Sequence, residues 1–524
     1  MSMNSQGRPS APVAGSDVND GTQAMTPVFE SFSGHRGLRL FEPLIFELGS
    51  SDTTGVDVDE ADDFEMSIGG LERTGEIGCP GLPEPDAVRH FTRLSRRNYG
   101  IDMGVFPLGS CTMKHNPRLN EKMARLPGFG DIHPLQPTST VQGALELMDE
   151  LSHWITTLTG MPAVALSPKA GAHGELCGVM AIRAALEARG DAREVVLCPE
   201  SAHGTNPATA AFCGYKVKSI PAKENGRVDL DALKAELDET VAAVMITNPN
   251  TCGLFETEIK DIADEIHKAG AFFYCDGANF NAIMGKARPG DLGVDAMHLN
   301  LHKTFSTPHG GGGPGSGPVV FSDALKNFAP LPYVVTGNGE KSLHEWSDET
   351  DQSLGRLTAF HGQMGMYVRA LSYMLSHGSD GIRQAAEDAV LNANYVLASL
   401  KDIMSASFDG PCMHEALFDD GFLKDTGVTT LDFAKAMIDE GYHPMTMYFP
   451  LVVHGAMLIE PTETESKYNM DQFIRSMRGL AETAVAGETA RFEGAPYFAP
   501  WKRLDETLAA RHPVLRYRAP EAEK

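Results

Sequence analysis

The sequence predicts an α/β fold with a doubly wound, mostly parallel β-sheet that helices cover on both faces. Two observations support this prediction. Short apolar segments of strand length alternate with amphipathic segments of helix length between residues 164 and 299, which is typical of βαβ units. Polar and glycine-containing segments follow several of the apolar segments. In such sheets ligands bind beyond the carboxyl ends of the strands.

The predicted elements follow one another along the chain. Residues 143–159 carry apolar side chains every three or four positions, which predicts a helix that ends at Gly160. Apolar segments predict strands at 164–166, 194–198, 216–220, 241–246, 271–275 and 294–299, and amphipathic segments predict helices at 175–189, 230–239 and 258–269. Asp229 is the predicted N-cap of the helix at 230–239, because its carboxylate can accept hydrogen bonds from the first free N–H groups.

Length and composition limit the organisation and the partners of the chain. Its 524 residues, of which 42% are hydrophobic and 22% charged, can form about two to four domains with sizeable cores. The 44 basic and 70 acidic side chains give a net charge of −26. This excess of negative charge argues against nucleic acid and anionic membranes as partners.

The sequence predicts a cytoplasmic protein with neither a disulfide framework nor a metal site. No segment contains the roughly eighteen consecutive apolar residues of a transmembrane helix, and the first thirty residues lack the apolar core of a signal peptide. The eight cysteines are dispersed and form no CxxC or other metal-ligand spacing. Scattered thiols of this kind are typical of a reducing cytosol.

The residues with the most chemistry follow the predicted strands. They are the segment 170–174 (AGAHG), which leads into the helix predicted at 175–189, and His203, Asn250, Asp276 and Lys303, each after a later strand. Any one of them alone has a more ordinary explanation as a turn, a cap, a structural histidine or a solvated lysine. Together they supply an anion-binding turn, an imidazole, an amide, a carboxylate and an amine. These are the groups that a pyridoxal phosphate site needs.

Each residue of this series has a predicted role in binding pyridoxal 5′-phosphate. The predicted contacts are the phosphate with Ala170, Gly171 and Ala172, the pyridine face with His203, the phenolic oxygen with Asn250, the ring nitrogen with Asp276, and the aldehyde with the amine of Lys303. Asp276 would keep the ring nitrogen protonated, which makes the ring an electron sink. Lys303 is therefore the predicted catalytic residue.

Four further residues have weaker predictions. Ala278 lies in the turn after the strand at 271–275 and joins the predicted cofactor-binding set. His302 joins it as a supporting residue, although its ring could instead face the interior. Cys111 could lie near the mouth of the site or pack as a small hydrophobic residue. Arg356 could bind a substrate carboxylate, although a surface position is the more ordinary expectation.

Several longer motifs make the sequence recognisable. The segments are 43–48 (PLIFEL), 88–99 (VRHFTRLSRRNY), 107–114 (PLGSCTMK), 170–176 (AGAHGEL), 202–208 (AHGTNPA), 247–256 (TNPNTCGLFE), 274–279 (YCDGAN) and 300–313 (NLHKTFSTPHGGGG), with a C-terminal block from 448–452 to 460–463. The chain closely resembles the glycine decarboxylase (P-protein) family of the glycine cleavage system over about residues 40–500. In particular, it resembles the separately encoded subunit that corresponds to the C-terminal half.

The resemblance implies a fold, an activity and partners. It implies the fold-type I architecture of pyridoxal phosphate enzymes, with an N-terminal tail and arm at 1–84, a large cofactor-binding domain at 85–345 and a small C-terminal α/β domain at 346–524. By motif match, Lys303 is the covalent lysine, Asp276 the partner of the ring nitrogen and His203 the ring-stacking residue. The implied activity is that of glycine dehydrogenase (aminomethyl-transferring): decarboxylation of glycine and transfer of its aminomethyl group to the lipoyl arm of H-protein.

The resemblance also implies an assembly. The chain has about half the length expected of a fused P-protein, so we expect an N-terminal-type subunit 1 as partner in a heterotetramer of two plus two subunits.

Two other classes of protein remain open from the residues alone. Another fold-type I enzyme, such as an aldolase or an amino-acid decarboxylase, would explain Lys303 and Asp276 but not the segment 107–114. A non-catalytic scaffold would not need Lys303.

Overall fold

The structure is a computed structural model that describes residues 42–50, 53, 59, 69–75, 78–310, 315–345, 352–499 and 501–517. Much of the tail and arm predicted at 1–84 lies outside these ranges. The chain divides into two compact units. The first contains the described residues of 1–100, 438–441 and 490–524, and the second contains those of 101–437 and 442–489.

The elements alternate along much of the chain. The α-helices of the described segments are α1 (Glu84–Ser95), α2 (Arg118–Ala124), α3 (Pro127–Gly130), α4 (Gln142–Thr159), α5 (Gly171–Ala188), α6 (Thr205–Phe212), α7 (Leu230–Glu236), α8 (Ile259–Lys268), α9 (Leu301–Thr304), α10 (Met364–Leu400), α11 (Thr430–Asp439), α12 (Lys467–Val485), α13 (Ala490–Glu493) and α14 (Glu506–Arg511). The strands are β1 (Ala163–Ala165), β2 (Val195–Pro199), β3 (Lys216–Ile220), β4 (Val241–Thr247), β5 (Phe272–Gly277), β6 (Ala296–Leu299), β7 (Val319–Phe321), β8 (Tyr333–Gly337), β9 (Glu340–His344), β10 (Ser405–Ala406), β11 (Ala416–Asp419), β12 (Thr446–Met447) and β13 (Met457–Ile459).

The first unit contains a buried ionic contact on α1. The Glu42 carboxylate, almost fully buried, lies 2.8 Å from Nδ1 of His90 and accepts two N–H groups of Arg93. Burial alone would raise the pKa of Glu42, but the hydrogen bonds from Arg93 and His90 outweigh it and lower the pKa. These contacts attach the segment at residue 42 to α1.

The second unit is built on a mixed, mostly parallel sheet. Within the described residues the sheet has seven strands in the order β1-β7-β6-β5-β4-β2-β3. The neighbours from β6 to β3 are parallel to one another, whereas β7 and β1 are antiparallel to their neighbours at one edge. The carboxyl ends of β4, β5 and β6 therefore lie side by side, as the sequence predicts.

Both faces of this sheet are covered. Along β5, Phe273 and Cys275 belong to one buried apolar cluster, while Phe272 and Tyr274 belong to another. Successive side chains of a strand point to opposite faces, so the two clusters lie on opposite sides of the sheet. The predicted α/β, doubly wound fold class is confirmed.

Two glycines allow α5 to approach the sheet closely. A Cβ atom at Gly174 would lie 2.7 Å from Cβ of His298, and one at Gly178 would overlap the ring of Tyr274. Because both positions lack a side chain, the helix packs directly on β5 and β6. This packing brings the N-terminus of α5 to the carboxyl edge of the sheet.

The C-terminal part of the second unit is smaller. Helix α10 contains a break at Gly378, whose φ is 63°. It packs against α12 and against a four-stranded antiparallel sheet of order β10-β11-β13-β12. None of the helices in the described ranges combines the length and apolar character needed to cross a membrane. The domain boundaries expected near residues 85 and 346 stay predictions.

The predicted elements of the large sheet match the observed ones with small shifts. The strand at 216–220 is observed as predicted, and Asp229 caps α7 by accepting from the N–H groups of Asp231 and Ala232. Helix α5 begins at Gly171, four residues earlier than predicted, because the small residues continue the helix instead of forming a separate turn. Helix α6 was not predicted, since its residues are part of the motif 202–208.

Candidate cofactor site

A cavity lies at the carboxyl ends of the central strands. Its volume is about 200 Å³. The residues that line it are Ser110, Gly171, Ala172, Glu175, His203, Thr205, Thr247, Thr251, Asp276, Ala278, Asn279, His298, Asn300, His302 and Lys303. Seven of the nine predicted site residues are in this set: Gly171, Ala172, His203, Asp276, Ala278, His302 and Lys303. The fold thus brings together residues from strand ends that are far apart in sequence.

Lys303 lies in the short helix α9, which directly follows β6 in the chain. Its Nζ donates a 2.6 Å hydrogen bond to the backbone carbonyl of Ser110. Ser110 belongs to the motif 107–114 and has a positive φ of 61°. The amine is therefore held at the cavity by a turn that comes from a remote part of the chain.

Asp276, at the end of β5, has two hydrogen-bond donors and a close contact with a histidine ring. Its carboxylate accepts from the N–H of Ala278 at 2.9 Å and from Nδ2 of Asn206 at 3.1 Å, and lies 3.2 Å from Nε2 of His298. Burial alone would raise the pKa of Asp276, but His298, Ala278 and Asn206 outweigh it and lower the pKa. Asp276 is therefore a buried carboxylate that stays ionised.

A second hydrogen bond orients the His298 ring. Burial lowers the pKa of His298, so the ring is neutral, and the Tyr274 hydroxyl lies 2.7 Å from its Nδ1. The buried tyrosine, with a pKa raised by burial, donates to Nδ1, which leaves the proton on Nε2 for Asp276. Since Asp276 and His298 are paired in the β5–β6 register, the sheet itself sets this geometry.

Glu175 is a neutral acid beside this carboxylate. Burial, and then the charge of Asp276, raise the pKa of Glu175 to about 8. One of its oxygens accepts from the hydroxyl of Thr209 at 3.4 Å. At neutral pH one negative charge, on Asp276, therefore faces the cavity from this side.

The N-terminus of α5 faces the same cavity. Ala170 is the N-cap and has no side-chain capping bond, and Gly171 and Ala172 of the first turn line the cavity. A Cβ atom at Gly171 would lie 2.5 Å from Oδ1 of Asn300. The uncapped N-terminus of an 18-residue helix is a favourable place for a phosphate. Ala170 itself is at the helix start, one residue outside the cavity lining.

The cavity fits pyridoxal phosphate by the chemistry of its donors and acceptors. It offers an amine, an ionised carboxylate and a helix N-terminus. Three buried polar atoms of its lining also have no hydrogen-bond partner among the residues that the structure describes: Oδ1 of Asn300, Oγ1 of Thr247 and Oδ1 of Asn279. Buried polar atoms normally have partners, so these are free to bind a polar ligand.

Asn250 is predicted to bind the cofactor, but its side chain lies outside the cavity lining. Its Nδ2 donates to the carbonyl of Gly226 at 3.0 Å and to Oε1 of Glu256 at 2.7 Å. Its Oδ1 accepts from the N–H groups of Cys252 and Leu254. The carboxamide is used in stabilising the turn after β4, and Asn250 is outside the cavity lining. Thr247, three residues earlier, lies at the cavity instead.

The two histidines of the predicted set differ in their environment. His203 is exposed at the cavity, its Nδ1 lies 2.8 Å from Oγ1 of Thr205, and its ring contacts Phe449 edge-on at 5.5 Å. His302 accepts from the N–H of Ser316 through Nδ1. Burial and the neighbouring His309 lower the pKa of His302 to about 3, so its ring stays neutral in the cavity wall.

Cys111 and Arg356, the other two residues with weaker predictions, lie outside the cavity lining. The carbonyl of Cys111 lies 3.0 Å from Nε2 of His309, and burial raises the pKa of the Cys111 thiol. Arg356 is partly buried and forms an ion pair with Glu345 at 2.9 Å. The structure therefore gives Arg356 a partner on the protein and does not place it at the cavity.

Sequence reasoning missed several lining residues. They are Ser110, Glu175, Thr205, Thr247, Thr251, Asn279, His298 and Asn300. Most of them are within the recognised motifs, which is a usable signal for Glu175, Thr247 and Asn279. His298 had a weaker signal, a single polar residue inside the apolar strand AMHL. Ser110 lies in the motif 107–114, but its side chain does not indicate its role, which is carried by its backbone carbonyl.

Comparisons with known proteins agree with this geometry. The family description "Glycine dehydrogenase, C-terminal domain" matches residues 385–494, and "Aminotransferase class-V" matches residues 178–413. A solved structure of glycine decarboxylase (P-protein) of the glycine cleavage system has a TM-score of 0.67 at 20% identity, covering 79% of this chain and 93% of that chain. A sphingosine-1-phosphate lyase from Burkholderia pseudomallei has a TM-score of 0.59 at 15% identity, covering 81% and 96%.

Fold and site define the class to which the protein belongs. The mixed, mostly parallel sheet, the match to "Aminotransferase class-V" and the likeness to the solved structures define a pyridoxal phosphate-dependent enzyme of fold type I.

Relatives in sequence define the family. "Probable glycine dehydrogenase (decarboxylating) subunit 2" of Caulobacter vibrioides is 66% identical over 98% of both chains. The proteins of that name from Kosmotoga olearia and Caldanaerobacter subterraneus are 51% and 48% identical, covering 84% and 92% of this chain and 91% and 99% of their own lengths. The chain belongs to the family of glycine dehydrogenase (decarboxylating) subunit 2, which confirms the resemblance found in its motifs.

Proposed function

We propose that this chain catalyses the pyridoxal phosphate-dependent decarboxylation of glycine in a glycine cleavage system. One observation carries the proposal: Lys303, Asp276 and the uncapped N-terminus of α5 face a single cavity, in a chain of the glycine dehydrogenase (decarboxylating) subunit 2 family. The aminomethyl group that remains after decarboxylation passes to the lipoyl arm of a carrier, the H-protein.

The chain's own residues divide the task of holding the cofactor. Gly171 and Ala172 at the start of α5 bind the phosphate, and His203 packs on the ring face. Asp276 binds the ring nitrogen, and Lys303 binds the cofactor covalently through Nζ. When bound, the cofactor supplies an electron sink for the electrons left by the departing carbon dioxide.

The surroundings of Asp276 support this division of roles. An ionised carboxylate stabilises a protonated ring nitrogen, which is what makes the ring electron-withdrawing. His298, the Ala278 N–H and Asn206 keep Asp276 ionised and fix its orientation before the reaction begins. The neutral form of Glu175 avoids a second negative charge at the same place.

Lys303 would have a second role whenever its amine is not bonded to the cofactor. The freed Nζ is near the Ser110 carbonyl, which accepts its hydrogen bond at 2.6 Å and can keep it beside the reacting centre. From there the amine can deliver or accept a proton. The cavity is partly enclosed by the turn at 110–112 and by α5, which limits access of water to the reacting bond.

The decisive experiment measures exchange of labelled bicarbonate into glycine by the holoenzyme with companion subunit and lipoylated carrier. We expect exchange in the parent protein and none above background in Lys303→Ala, which should also lose the near-visible absorbance of bound cofactor. Lys424→Ala, at an exposed lysine remote in sequence, is the matched control and should behave as the parent.

Borohydride reduction followed by peptide mass analysis locates the cofactor independently of activity. We expect the pyridoxyl adduct on Lys303. An adduct on another lysine would contradict the site, whereas cofactor on Lys303 without exchange would contradict glycine decarboxylation and favour another fold-type I enzyme, such as an aldolase.

We also propose that the chain functions with a subunit 1 in a heterotetramer of two plus two subunits. The support is the designation "subunit 2" of its relatives. Co-expression followed by light scattering should give the mass of four chains, and the chain expressed alone should show little exchange. A fully active, stable species of this chain alone would contradict the proposal.

We place the protein in the cytoplasm. The support is that its eight cysteines, all within the described ranges, are free thiols, five of them with pKa values raised to about 12 or beyond by burial. Free thiols persist in a reducing compartment. Fractionation of the source cells with an antibody to this chain tests the placement.

A further inference from the structure

Two buried glutamates behind the cavity are not used by the function proposed above. Glu415 precedes β11 and Glu460 follows β13, and the antiparallel register that pairs Ala416 with Ile459 brings the two together. Both residues, and the neighbouring His414, have no exposed surface. Two adjacent carboxyl groups in such a place need an explanation, because burying charge is costly.

Each glutamate holds the turn that binds Lys303. Oε1 of Glu415 accepts from the N–H of Ser110, and Oε2 of Glu460 accepts from the N–H of Thr112 at 2.8 Å. Ser110 and Thr112 have φ values of 61° and 45°, a region that residues other than glycine rarely adopt. The two carboxyl groups therefore stabilise a strained turn whose Ser110 carbonyl accepts the Lys303 amine.

The other carboxyl oxygens lie close together. Among the described residues, Oε2 of Glu415 and Oε1 of Glu460 have no hydrogen-bond partner, and neither has either ring nitrogen of His414. Nε2 of His414 is 3.9 Å from an oxygen of each glutamate, and one ligand atom from each of the three residues lies within 4.8 Å of the others. Burial lowers the pKa of His414 to about 3, so its ring supplies no charge.

Other charged groups around the pair do not compensate two negative charges. Lys303 is the cation that acts on both glutamates. Glu463, also near Glu460, is paired with Lys114 at 2.6 Å. The thiols that Glu415 affects, Cys111, Cys252 and Cys412, have raised pKa values and are neutral. Within the described part of the chain, Lys303 thus faces two buried carboxyl groups, and two such groups side by side do not both ionise.

We propose that Glu415 and Glu460 form a proton-holding pair that retains one proton between them and positions the Lys303 amine through the turn at 110–112. The single negative charge of the pair offsets the charge of Lys303. The proton belongs to the pair as a unit, since coupled groups titrate together. Both glutamates are positioning residues, because they act on Lys303 through the backbone of Ser110 and Thr112.

The physical basis of the retained proton is burial and mutual repulsion. Burial, and then Glu460, raise the pKa of Glu415 well above its usual range, and burial raises the pKa of Glu460 to about 7. The folded state therefore binds more protons than the unfolded chain once pH exceeds about 4.5. The contribution of the pair to the free energy of unfolding therefore becomes progressively less favourable as pH rises through about 7.

The first test uses cofactor-free protein, so its result does not depend on the proposed function. Infrared difference spectra between the parent and Glu415→Gln at pH 8.5, above the pKa of about 7 of Glu460, should show the loss of one protonated-carboxyl band. The exposed Glu146→Gln, on α4, should show no such loss. Identical spectra for the parent and Glu415→Gln would overturn the proposal.

The second test follows thermal stability against pH. The double variant Glu415→Gln/Glu460→Gln keeps acceptors for both N–H groups but cannot ionise. Its midpoint should exceed that of the parent increasingly between pH 5 and pH 8.5, whereas Glu146→Gln should run parallel to the parent. Parallel curves for the double variant would contradict a retained proton.

A stoichiometric metal ion in the purified parent, lost in Glu415→Gln, would also overturn the proposal, because a cation would then neutralise the pair.

The third test concerns positioning and rests on the proposed role of Lys303. Glu415→Ala removes the acceptor of the Ser110 N–H and should lower bicarbonate exchange by about tenfold or more relative to Glu415→Gln. The pH profile of the bound-cofactor absorbance should shift in both variants. Equal exchange in the Ala and Gln variants with unshifted absorbance would reject positioning. A Glu415→Ala protein that does not fold leaves the Gln variants to decide through their absorbance profiles.

Discussion

Single residues of the site depend on partners from neighbouring strands. Asp276 would be a costly buried charge on its own, and it is stabilised because His298 on β6 offers Nε2 at 3.2 Å. The hydrogen bond from Tyr274 to Nδ1 selects the tautomer that can do this. The ionised state of Asp276 therefore depends on residues of β5 and β6 that would not themselves touch the cofactor.

This arrangement predicts a strong effect of a substitution at His298. His298→Phe removes the ring nitrogen that lies 3.2 Å from the Asp276 carboxylate, without leaving space for another polar group. Removing a polar partner of a buried charged group costs about 1.5–3 kcal/mol, so kcat/KM for bicarbonate exchange should fall about 10- to 100-fold.

A matched control for His298 exists at the other end of the sheet. His267 lies 2.8 Å from Oδ2 of Asp295, in a similar histidine–aspartate pair outside the cavity lining. His267→Phe should leave kcat/KM unchanged. Equal losses in the two variants, or no loss in His298→Phe, would refute the role assigned to His298.

At the scale of elements, the position of α5 decides whether a phosphate site exists. The helix lies on β5 and β6 because Gly174 and Gly178 have no side chain at the contact. Its first turn consequently reaches the edge of the sheet where Lys303 and Asp276 lie. A glycine pattern that looks like a loop in the sequence thus acts as a packing surface.

We expect Gly178→Ala to be destabilising. Its Cβ would overlap the Tyr274 ring, and overpacking of this kind costs about 1–3 kcal/mol in the free energy of unfolding. Displacement of α5 should also weaken cofactor binding, measured by titration of the cofactor-free protein.

Gly143→Ala on α4 is the control for this prediction. A Cβ atom at Gly143 would meet nothing within 4 Å, so the substitution should stabilise the protein by about 0.4–1 kcal/mol. Urea unfolding measures both variants. Similar changes in the two would show that close packing at Gly178 is not needed.

At the scale of the whole molecule, a buried lysine links distant segments of the second unit. Nζ of Lys114 donates to Oε1 of Glu463, Oδ1 of Asn281 and the carbonyl of Thr304 at 2.6–2.8 Å. The Lys114 side chain is 1% exposed. Its contact with Glu463 spans 349 positions of sequence, so this ion pair attaches the motif 107–114 to the C-terminal part.

Breaking this pair should destabilise the unit. Lys114→Met leaves Glu463 buried without its cation, which should cost about 3–5 kcal/mol in the free energy of unfolding. Lys114→Met/Glu463→Leu should recover part of that loss, because no charge is then left unpaired. Lys467→Met, in an exposed pair with Asp471, should change the free energy of unfolding far less, because solvent screens an exposed ion pair. A double variant as unstable as the single one would contradict this account.

The fold was largely predictable because its strands and helices have short, local patterns. The strands from β1 to β6 coincide, within a few residues, with the predicted strands, most of which are apolar, and Asp276 and Lys303 lie at the end of β5 and just after β6. Asn250 was less predictable. A carboxamide after a strand can bind a ligand or its own turn, and local sequence does not distinguish the two. In the structure, the four hydrogen bonds of its carboxamide are made with Gly226 and with residues 252–256 of its own turn.

The sequence by itself determined the alternation of elements, the residues at the strand ends and, through its motifs, the family and the cofactor. Hydrophobic periodicity and strand-end chemistry act within a few residues, so they can be read along the chain. Only the tertiary structure decided which groups support Lys303 and Asp276. The hydrogen bonds of Ser110 with Lys303 and with Glu415 join residues 193 and 305 positions apart. Contacts of that separation form only when the chain has folded.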